Sequence, residues 1–222
     1  MTMNMRTRTL NPLKGLLTYF WYYLGNKFKI IFLQVILMGI VFLIFENLWV
    51  VALFNFNAIT MGTVTVLTTM GSKEVDWERF QLSMPVRRSD LAKSQYISVG
   101  VTPFLGLPLF IIFNWLASFL HEDMYFTILS AFTTAAPLVS SALIMCSLVF
   151  PLAMIPALEN KIDALFWLII IVSLLIPYSI VILANNLGWS TVATTSGMLI
   201  VSIVVFIVSY FVTRRLYAKS DF

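Results

Sequence analysis

Residues 164–184 read ALFWLIIIVSLLIPYSIVILA and contain no charged side chain. At about 1.5 Å of rise per residue, a helix of this length spans roughly 31 Å, which matches the hydrocarbon core of a lipid bilayer. Similar runs fill most of the chain: 60% of its residues are hydrophobic and 11% are charged, and its mean hydropathy is +0.93. Water-soluble domains do not have this composition. The sequence therefore predicts an all-α, polytopic protein embedded in a lipid bilayer.

Six apolar spans are separated by short polar turns or charged loops. The chain of 222 residues leaves no room for a separate globular domain beside them, so we predict a single transmembrane domain over residues 1–222. Prolines and a glycine in the third span, Pro103, Gly106 and Pro108, predict that this span is bent or broken. The six predicted spans are residues 28–45, 49–70, 95–119, 125–149, 164–184 and 192–212.

The 14 Lys and Arg residues all fall on one side of this arrangement. They precede the first span or stand at its very start, lie between the second and third or the fourth and fifth, or follow the sixth, and the three opposite turns contain none. By the positive-inside rule this pattern predicts a plasma-membrane protein with both termini in the cytoplasm. The formal charge of +4 thus reports membrane topology, and we predict no nucleic-acid partner.

Before the first span, apolar residues recur at helical spacing after Asn11 and Pro12. The pattern predicts an amphipathic helix over residues 9–25 that lies in the cytoplasmic membrane interface. The alternative is that this helix continues into the first span, which we disfavour because Lys14, Gly25, Asn26 and Lys27 interrupt the apolar run. The apolar residues of this helix are Leu10, Leu13, Leu17, Phe20, Trp21 and Leu24.

The sequence shows no recognisable set of catalytic or nucleotide-binding residues. The segment Gly71-Ser72-Lys73 lacks the earlier glycine and the Lys-Ser/Thr pair of a phosphate-binding loop, so the chain is not an ATPase by itself. His121, the single histidine, stands beside Glu122 and Asp123, and we interpret this group as a solvated turn rather than a metal site. We therefore predict no catalytic residue, no metal and no cofactor in this chain.

The second span is the least hydrophobic of the six and contains several asparagines and threonines. Such residues suit either a wetted path or polar contacts between helices, and we favour contacts because hydroxyl and amide groups are common at helix interfaces in membranes. The residues in question are Asn55, Asn57, Thr60 and Thr68.

The cytoplasmic loop between the second and third spans, residues 73–91, contains a short amphipathic helix. Trp77, Phe80, Gln81 and Met84 follow the spacing i, i+3, i+4, i+7, and Pro85 ends the pattern. Either this helix lies in the lipid headgroups, or it docks in a groove of a cytoplasmic partner. In the second case Arg87 and Arg88 would steer the contact.

The run WERFQLSMPVRRSDL, residues 77–91, resembles a segment of the form W-x-x-F-x-x-S-x-P-V-x-R-x-D-L in membrane subunits of type-2 ABC exporters. In that family the segment forms the coupling helix, which touches the ATPase subunit. The order of an interfacial elbow helix, two spans, this loop and four further spans is also similar. The resemblance is closest to the compact permeases that export phenol-soluble modulins or give self-immunity to bacteriocins.

The resemblance implies the membrane subunit of an ATP-driven exporter of amphipathic or hydrophobic peptides. It implies a dimer with a second copy or a related permease, and separate cytoplasmic ATPase subunits that hold ATP and Mg²⁺. It also implies that Trp77, Phe80, Gln81, Met84, Arg87 and Arg88 contact the ATPase. Alternatives are an exporter of drugs or lipids, or a non-transporting membrane scaffold or sensor that recruits a cytoplasmic partner.

Overall fold

The structure is a computed structural model that describes residues 12–45, 47–71, 87–121, 126–153 and 162–219. Within these ranges the regular structure is entirely α-helical, which confirms the predicted all-α class. The described residues form six helices: α1 (Pro12–Ile44), α2 (Leu48–Gly71), α3 (Arg88–Leu120), α4 (Ile128–Ala153), α5 (Ile162–Asn186) and α6 (Thr191–Lys219).

Five of these helices contain an apolar segment long enough to cross a membrane. The segments are Lys27–Ile44, Ser89–Leu120, Ile128–Leu152, Trp167–Asn186 and Thr191–Leu216. In α2 the apolar segment found among the described residues is Trp49–Val64. The chain is therefore a multi-pass membrane protein.

The first helix differs from the prediction. The sequence predicted an interfacial helix over residues 9–25, separate from a span that starts at residue 28, whereas α1 is one helix from Pro12 to Ile44. An interior glycine costs a helix only about 1 kcal/mol, and asparagine and lysine cost less, so Gly25, Asn26 and Lys27 weaken the helix without ending it. The ring of Trp21 also packs on that of Phe28, with 5.4 Å between the ring centroids, across the expected break.

The third helix is likewise continuous, from Arg88 to Leu120, with Pro103 and Pro108 inside it. Helices in membranes tolerate proline when neighbouring helices compensate for the missing backbone bonds. Its start at Arg88 also places residues 88–91 in the helix, although the sequence assigned them to the loop.

The helices alternate in direction. Near the carboxyl ends of α1 and α3, His121 Nε2 lies 3.1 Å from the carbonyl oxygen of Leu43. In the opposite half of the bundle, Leu67 of α2, Tyr96 of α3 and Ile169 of α5 belong to one apolar cluster. We call this half the basic half, because the basic residues of the described part lie in it: Lys14, Lys27, Lys29, Arg87, Arg88, Lys93, Arg214, Arg215 and Lys219.

The backbones of α2 and α3 approach each other closely. A Cβ atom added to Gly106 would overlap the carbonyl oxygen of Ala58. Thr63 and Thr102 meet a little further along the same interface, with 2.9 Å between their hydroxyl oxygens. Small residues and hydroxyl pairs are the usual means by which membrane helices approach closely.

A serine hydroxyl joins α4 and α6, which run parallel. Ser209 Oγ donates to the carbonyl oxygen of Ser147, at 2.6 Å. Seven residues earlier in each helix stand Ser140 and Ser202, both fully buried, and seven earlier again stand Thr133 and Thr195. A seven-residue repeat keeps one stripe of each helix facing its neighbour, as in a coiled coil.

Candidate functional site: a hydroxyl network behind the loop between α2 and α3

The predicted docking residues stand in the loop between α2 and α3. Trp77, Phe80, Gln81 and Met84 lie outside the described residues. Arg87 is exposed at the start of α3, and Arg88 is the first residue of that helix.

Arg87 marks a sharp change from extended backbone to helix. Its φ of −71° and ψ of 137° are extended, and its carbonyl oxygen accepts bonds from the amides of Asp90 at 2.8 Å and Leu91 at 3.3 Å. The carboxylate of Asp90 in the first turn is favourable to the helix dipole. Since Leu91 and Ala92 are already buried, the helix is held by the bundle from its first turn, directly after the predicted docking segment.

Two turns into α3, Tyr96 joins three helices through its hydroxyl group. Tyr96 Oη lies 2.7 Å from Ser209 Oγ and 2.7 Å from Thr213 Oγ1, both in α6. Ser209 Oγ in turn donates to the carbonyl oxygen of Ser147 in α4. We call these four residues the Tyr96 network.

The directions of these hydrogen bonds follow from counting hydrogens. A hydroxyl has one hydrogen, and that of Ser209 is used on the carbonyl oxygen of Ser147. Tyr96 must therefore donate to Ser209, and Thr213 must donate to Tyr96. The result is a chain in one direction, from Thr213 through Tyr96 and Ser209 to a backbone carbonyl, in which every hydroxyl hydrogen has an acceptor.

Aromatic rings enclose the network. The centroid of the Tyr96 ring lies 4.7 Å from that of Phe150, 5.1 Å from that of Phe206 and 5.5 Å from that of Tyr210. Only 3% of Tyr96 is exposed. Hydrogen bonds shielded from water in this way do not exchange readily with solvent, so the network connects the start of α3 rigidly to α4 and α6.

The polar residues predicted in the second span are divided between several environments. Asn55 is buried and accepts a bond from Asn114 Nδ2 of α3 at 3.0 Å, which is a contact between helices. Asn57 is half-buried, and its Nδ2 donates to the carbonyl oxygen of Leu53 in its own helix. Thr60 is buried and lines a small pocket between helices. The side chain of Thr68 lies outside the described part.

His121 is buried, with 8% of its surface exposed, so the prediction of a solvated turn is wrong for this residue. Its contact with the carbonyl oxygen of Leu43 satisfies one of the last carbonyls of α1, which have no partner within the helix. Glu122 and Asp123 lie outside the described residues. Among the residues that the structure does describe, no three His, Cys, Asp or Glu side chains form a group that could hold a metal ion.

Sequence reasoning missed the Tyr96 network. A tyrosine near the end of a span is usually assigned to the membrane interface, where its ring meets the headgroups. The seven-residue repeat of Thr133, Ser140 and Ser147 was the one available signal, because it marks a buried stripe on α4. Nothing in the sequence indicates that Tyr96 faces this stripe.

The fold and this site together define a class: a helical multi-pass membrane protein whose charged loop between α2 and α3 leads into a tightly anchored helix. The chain belongs to the ABC-2 family, because the family model described as ABC-2 family transporter protein matches residues 21–218. No curated protein and no solved structure matches the chain.

Membership of this family has two consequences. The chain is an ABC transporter permease, that is, a membrane subunit, and it pairs with an ATPase subunit. The resemblance seen in residues 77–91 is therefore confirmed at the level of the ABC-2 permeases.

Proposed function

We propose that the chain is the membrane subunit of an ATP-driven exporter that moves amphipathic or hydrophobic peptides out of the cell. Two ATPase subunits bind ATP and Mg²⁺ beneath a pair of membrane subunits. The observation that carries this proposal is the match of residues 21–218 to the ABC-2 transporters. The peptide cargo is supported by the resemblance of residues 77–91 to the modulin exporters and bacteriocin-immunity permeases.

The proposed topology has six membrane spans, with both termini in the cytoplasm. α2 counts as the sixth span, since at about 1.5 Å per residue its 24 residues extend roughly 36 Å. It also runs beside helices that are long enough to span: Phe54 stacks on Phe42 of α1 at 4.9 Å, and Thr63 bonds to Thr102 of α3. The gathering of basic residues in one half of the bundle supports the cytoplasmic location of that half.

A second subunit is part of the proposal because the described bundle is filled. The half opposite the basic half holds an apolar cluster that includes Phe42, Phe54, Phe110 and Leu138, and the basic half holds the cluster around Tyr96. A peptide has no room between helices packed in this way, so its path runs between two subunits, formed by a second copy or by a related permease.

Coupling begins at the loop between α2 and α3. The proposed contacts to the ATPase are Trp77, Phe80, Gln81, Met84, Arg87 and Arg88. When the ATPase pair closes, it pushes this loop, and the push enters α3 at Arg87. The Tyr96 network supports the next step, because it ties α3 to α4 and α6 and so lets the three helices tilt together.

The test is ATP hydrolysis by the chain copurified with its candidate ATPase in lipid nanodiscs, with and without amphipathic peptides. We expect peptide-stimulated turnover in the wild type and its loss in Trp77→Ala/Phe80→Ala. The matched control is Trp49→Ala/Phe119→Ala, which removes one tryptophan and one phenylalanine that are 75% and 70% exposed in the opposite half of the bundle.

Each of the other possible outcomes would contradict part of this proposal. Loss of turnover in both double variants would show that the effect is general destabilisation and would contradict docking. Turnover stimulated by drugs or lipids, but not by peptides, would change the cargo class. Failure of any ATPase to copurify would favour the scaffold or sensor.

A further inference from the structure

One side of α1 faces away from the rest of the bundle. Val35 and Phe42 of this helix are buried in an apolar cluster with other helices, whereas five residues on the other side are exposed and follow alternating spacings of four and three. Two helices of a coiled coil meet through residues with this spacing. The four apolar members are between 37% and 68% exposed. We call these five residues the Gln34 seam: Ile30, Gln34, Leu37, Val41 and Ile44.

Gln34 is the one polar residue of this seam. It stands seven residues after Lys27 and ten before Ile44, which bound the apolar segment of α1. At about 1.5 Å per residue, it lies roughly 10 Å and 15 Å from the two ends of that segment. Gln34 is exposed, and its amide has no hydrogen-bond partner among the described residues. An amide that faces hydrocarbon loses its bonds to water without replacing them, so polar side chains inside a membrane usually face another protein segment.

A glutamine amide can pair with a copy of itself. Its oxygen accepts hydrogen bonds and its NH₂ group donates them, so two Gln34 amides side by side can form reciprocal N–H···O bonds. Two copies of this chain enter the membrane in the same orientation, because they carry the same distribution of basic residues. Their α1 helices are then parallel, and a twofold axis normal to the membrane places Gln34 of both copies at the same depth.

We propose that two copies of this chain associate through their Gln34 seams, with the two Gln34 amides hydrogen-bonded to each other at the twofold axis. The apolar members of the seam pack on the same residues of the partner copy, and the single polar pair fixes the register of the two helices. This inference rests on the proposed function in one respect: it identifies the second membrane subunit as another copy of the chain and α1 as the contact.

Oxidative cross-linking in native membranes, with the ATPase coexpressed, tests the position of the contact. Leu37→Cys lies in the seam, one turn from Gln34, and should give a disulfide-linked dimer. The matched control is Phe32→Cys. Phe32 is as exposed as Leu37, at 54% against 55%, but it lies about 140° away around the helix and should give no dimer. The wild type, whose single Cys146 is buried, is the blank.

The role of the amide is tested by the association of two fluorescently labelled copies in lipid. Gln34→Leu keeps a side chain of similar size and removes the amide. We expect its dissociation constant to rise roughly 3- to 16-fold, as for the loss of one hydrogen bond between membrane helices. Gln34→Asn keeps an amide and should lie closer to the wild type than Gln34→Leu does.

Several results would overturn the inference: cross-linking of both cysteine variants, cross-linking of neither, or an unchanged dissociation constant for Gln34→Leu. Peptide-stimulated ATP hydrolysis, measured on the same preparations, separates this inference from the proposed function. Stimulated turnover without cross-linking of Leu37→Cys would contradict the seam and leave the exporter standing. Cross-linking of Leu37→Cys alone, without stimulated turnover, would support the seam and contradict the peptide exporter.

Discussion

Tyr96→Phe is the most informative single change in this protein, since it removes one oxygen atom and keeps the aromatic ring. The ring contacts with Phe150, Phe206 and Tyr210 remain, whereas the two hydrogen bonds of 2.7 Å to α6 are lost. Side-chain bonds between membrane helices contribute about 0.6 kcal/mol each on average. Two such bonds give roughly 1.2 kcal/mol, which corresponds to a fall in thermal midpoint of about 2–5 °C.

Cys146 provides a natural reporter of this change. It is the one cysteine of the chain, it is fully buried, and it belongs to the same apolar cluster as Tyr96. A thiol-reactive fluorophore can label it only when this cluster opens, at a rate that follows the open population. A loss of roughly 1.2 kcal/mol predicts labelling about sevenfold faster than in the wild type.

Tyr210→Phe is the matched control, because its ring packs on that of Tyr96 but its hydroxyl is not part of the network. If both variants label Cys146 at the same rate and unfold at the same temperature, the network does not stabilise this region and the reasoning is refuted. In the complex with the ATPase, we further expect Tyr96→Phe to keep basal ATP hydrolysis and to reduce its stimulation by peptide. Equal stimulation in both variants would exclude a role in coupling.

Two other predictions concern the interface between α2 and α3. Gly106→Ala should destabilise the chain by roughly 1–3 kcal/mol, because the added methyl group overlaps the Ala58 carbonyl, whereas Gly197→Ala, with open space around it, should leave the thermal midpoint unchanged or raise it. Equal midpoints for the two variants would contradict the close approach of the backbones. A double-mutant cycle of Asn55→Ala and Asn114→Ala should give a coupling energy of about 0.6–1.7 kcal/mol, and additive losses would show that the amide bond of 3.0 Å contributes nothing.

Two structural predictions from local sequence were wrong, one because the signal for a helix break was weak and one because a tertiary contact opposed it. Gly25, Asn26 and Lys27 indicated a break in the first helix, yet none of these residues prevents a helical hydrogen bond as proline does. The hydrophilic turn expected at His121 became a buried contact, because burial depends on which helix end lies nearby. Leu43 of α1 is that neighbour, and it is 78 positions away in sequence.

The candidate site also has parts that the local sequence predicts and parts that it does not. The docking role of residues 77–91 stays a prediction from the sequence, which could be made because its amphipathic spacing and motif are local. The Tyr96 network could not be predicted in this way, because its hydroxyl pairs join residues 113 and 117 positions apart. For the polar residues of α2 the sequence left two roles open, and contact with Asn114 decides the role of Asn55 alone.

The sequence by itself determined that this chain is helical, lies in a membrane and gathers its basic residues on one side. These properties follow from free energies of transfer that add up residue by residue along each segment. The tertiary structure alone decided which polar groups meet. In lipid the hydrophobic effect does not choose the facing sides of two helices, so close packing of small residues and a few hydrogen bonds make that choice.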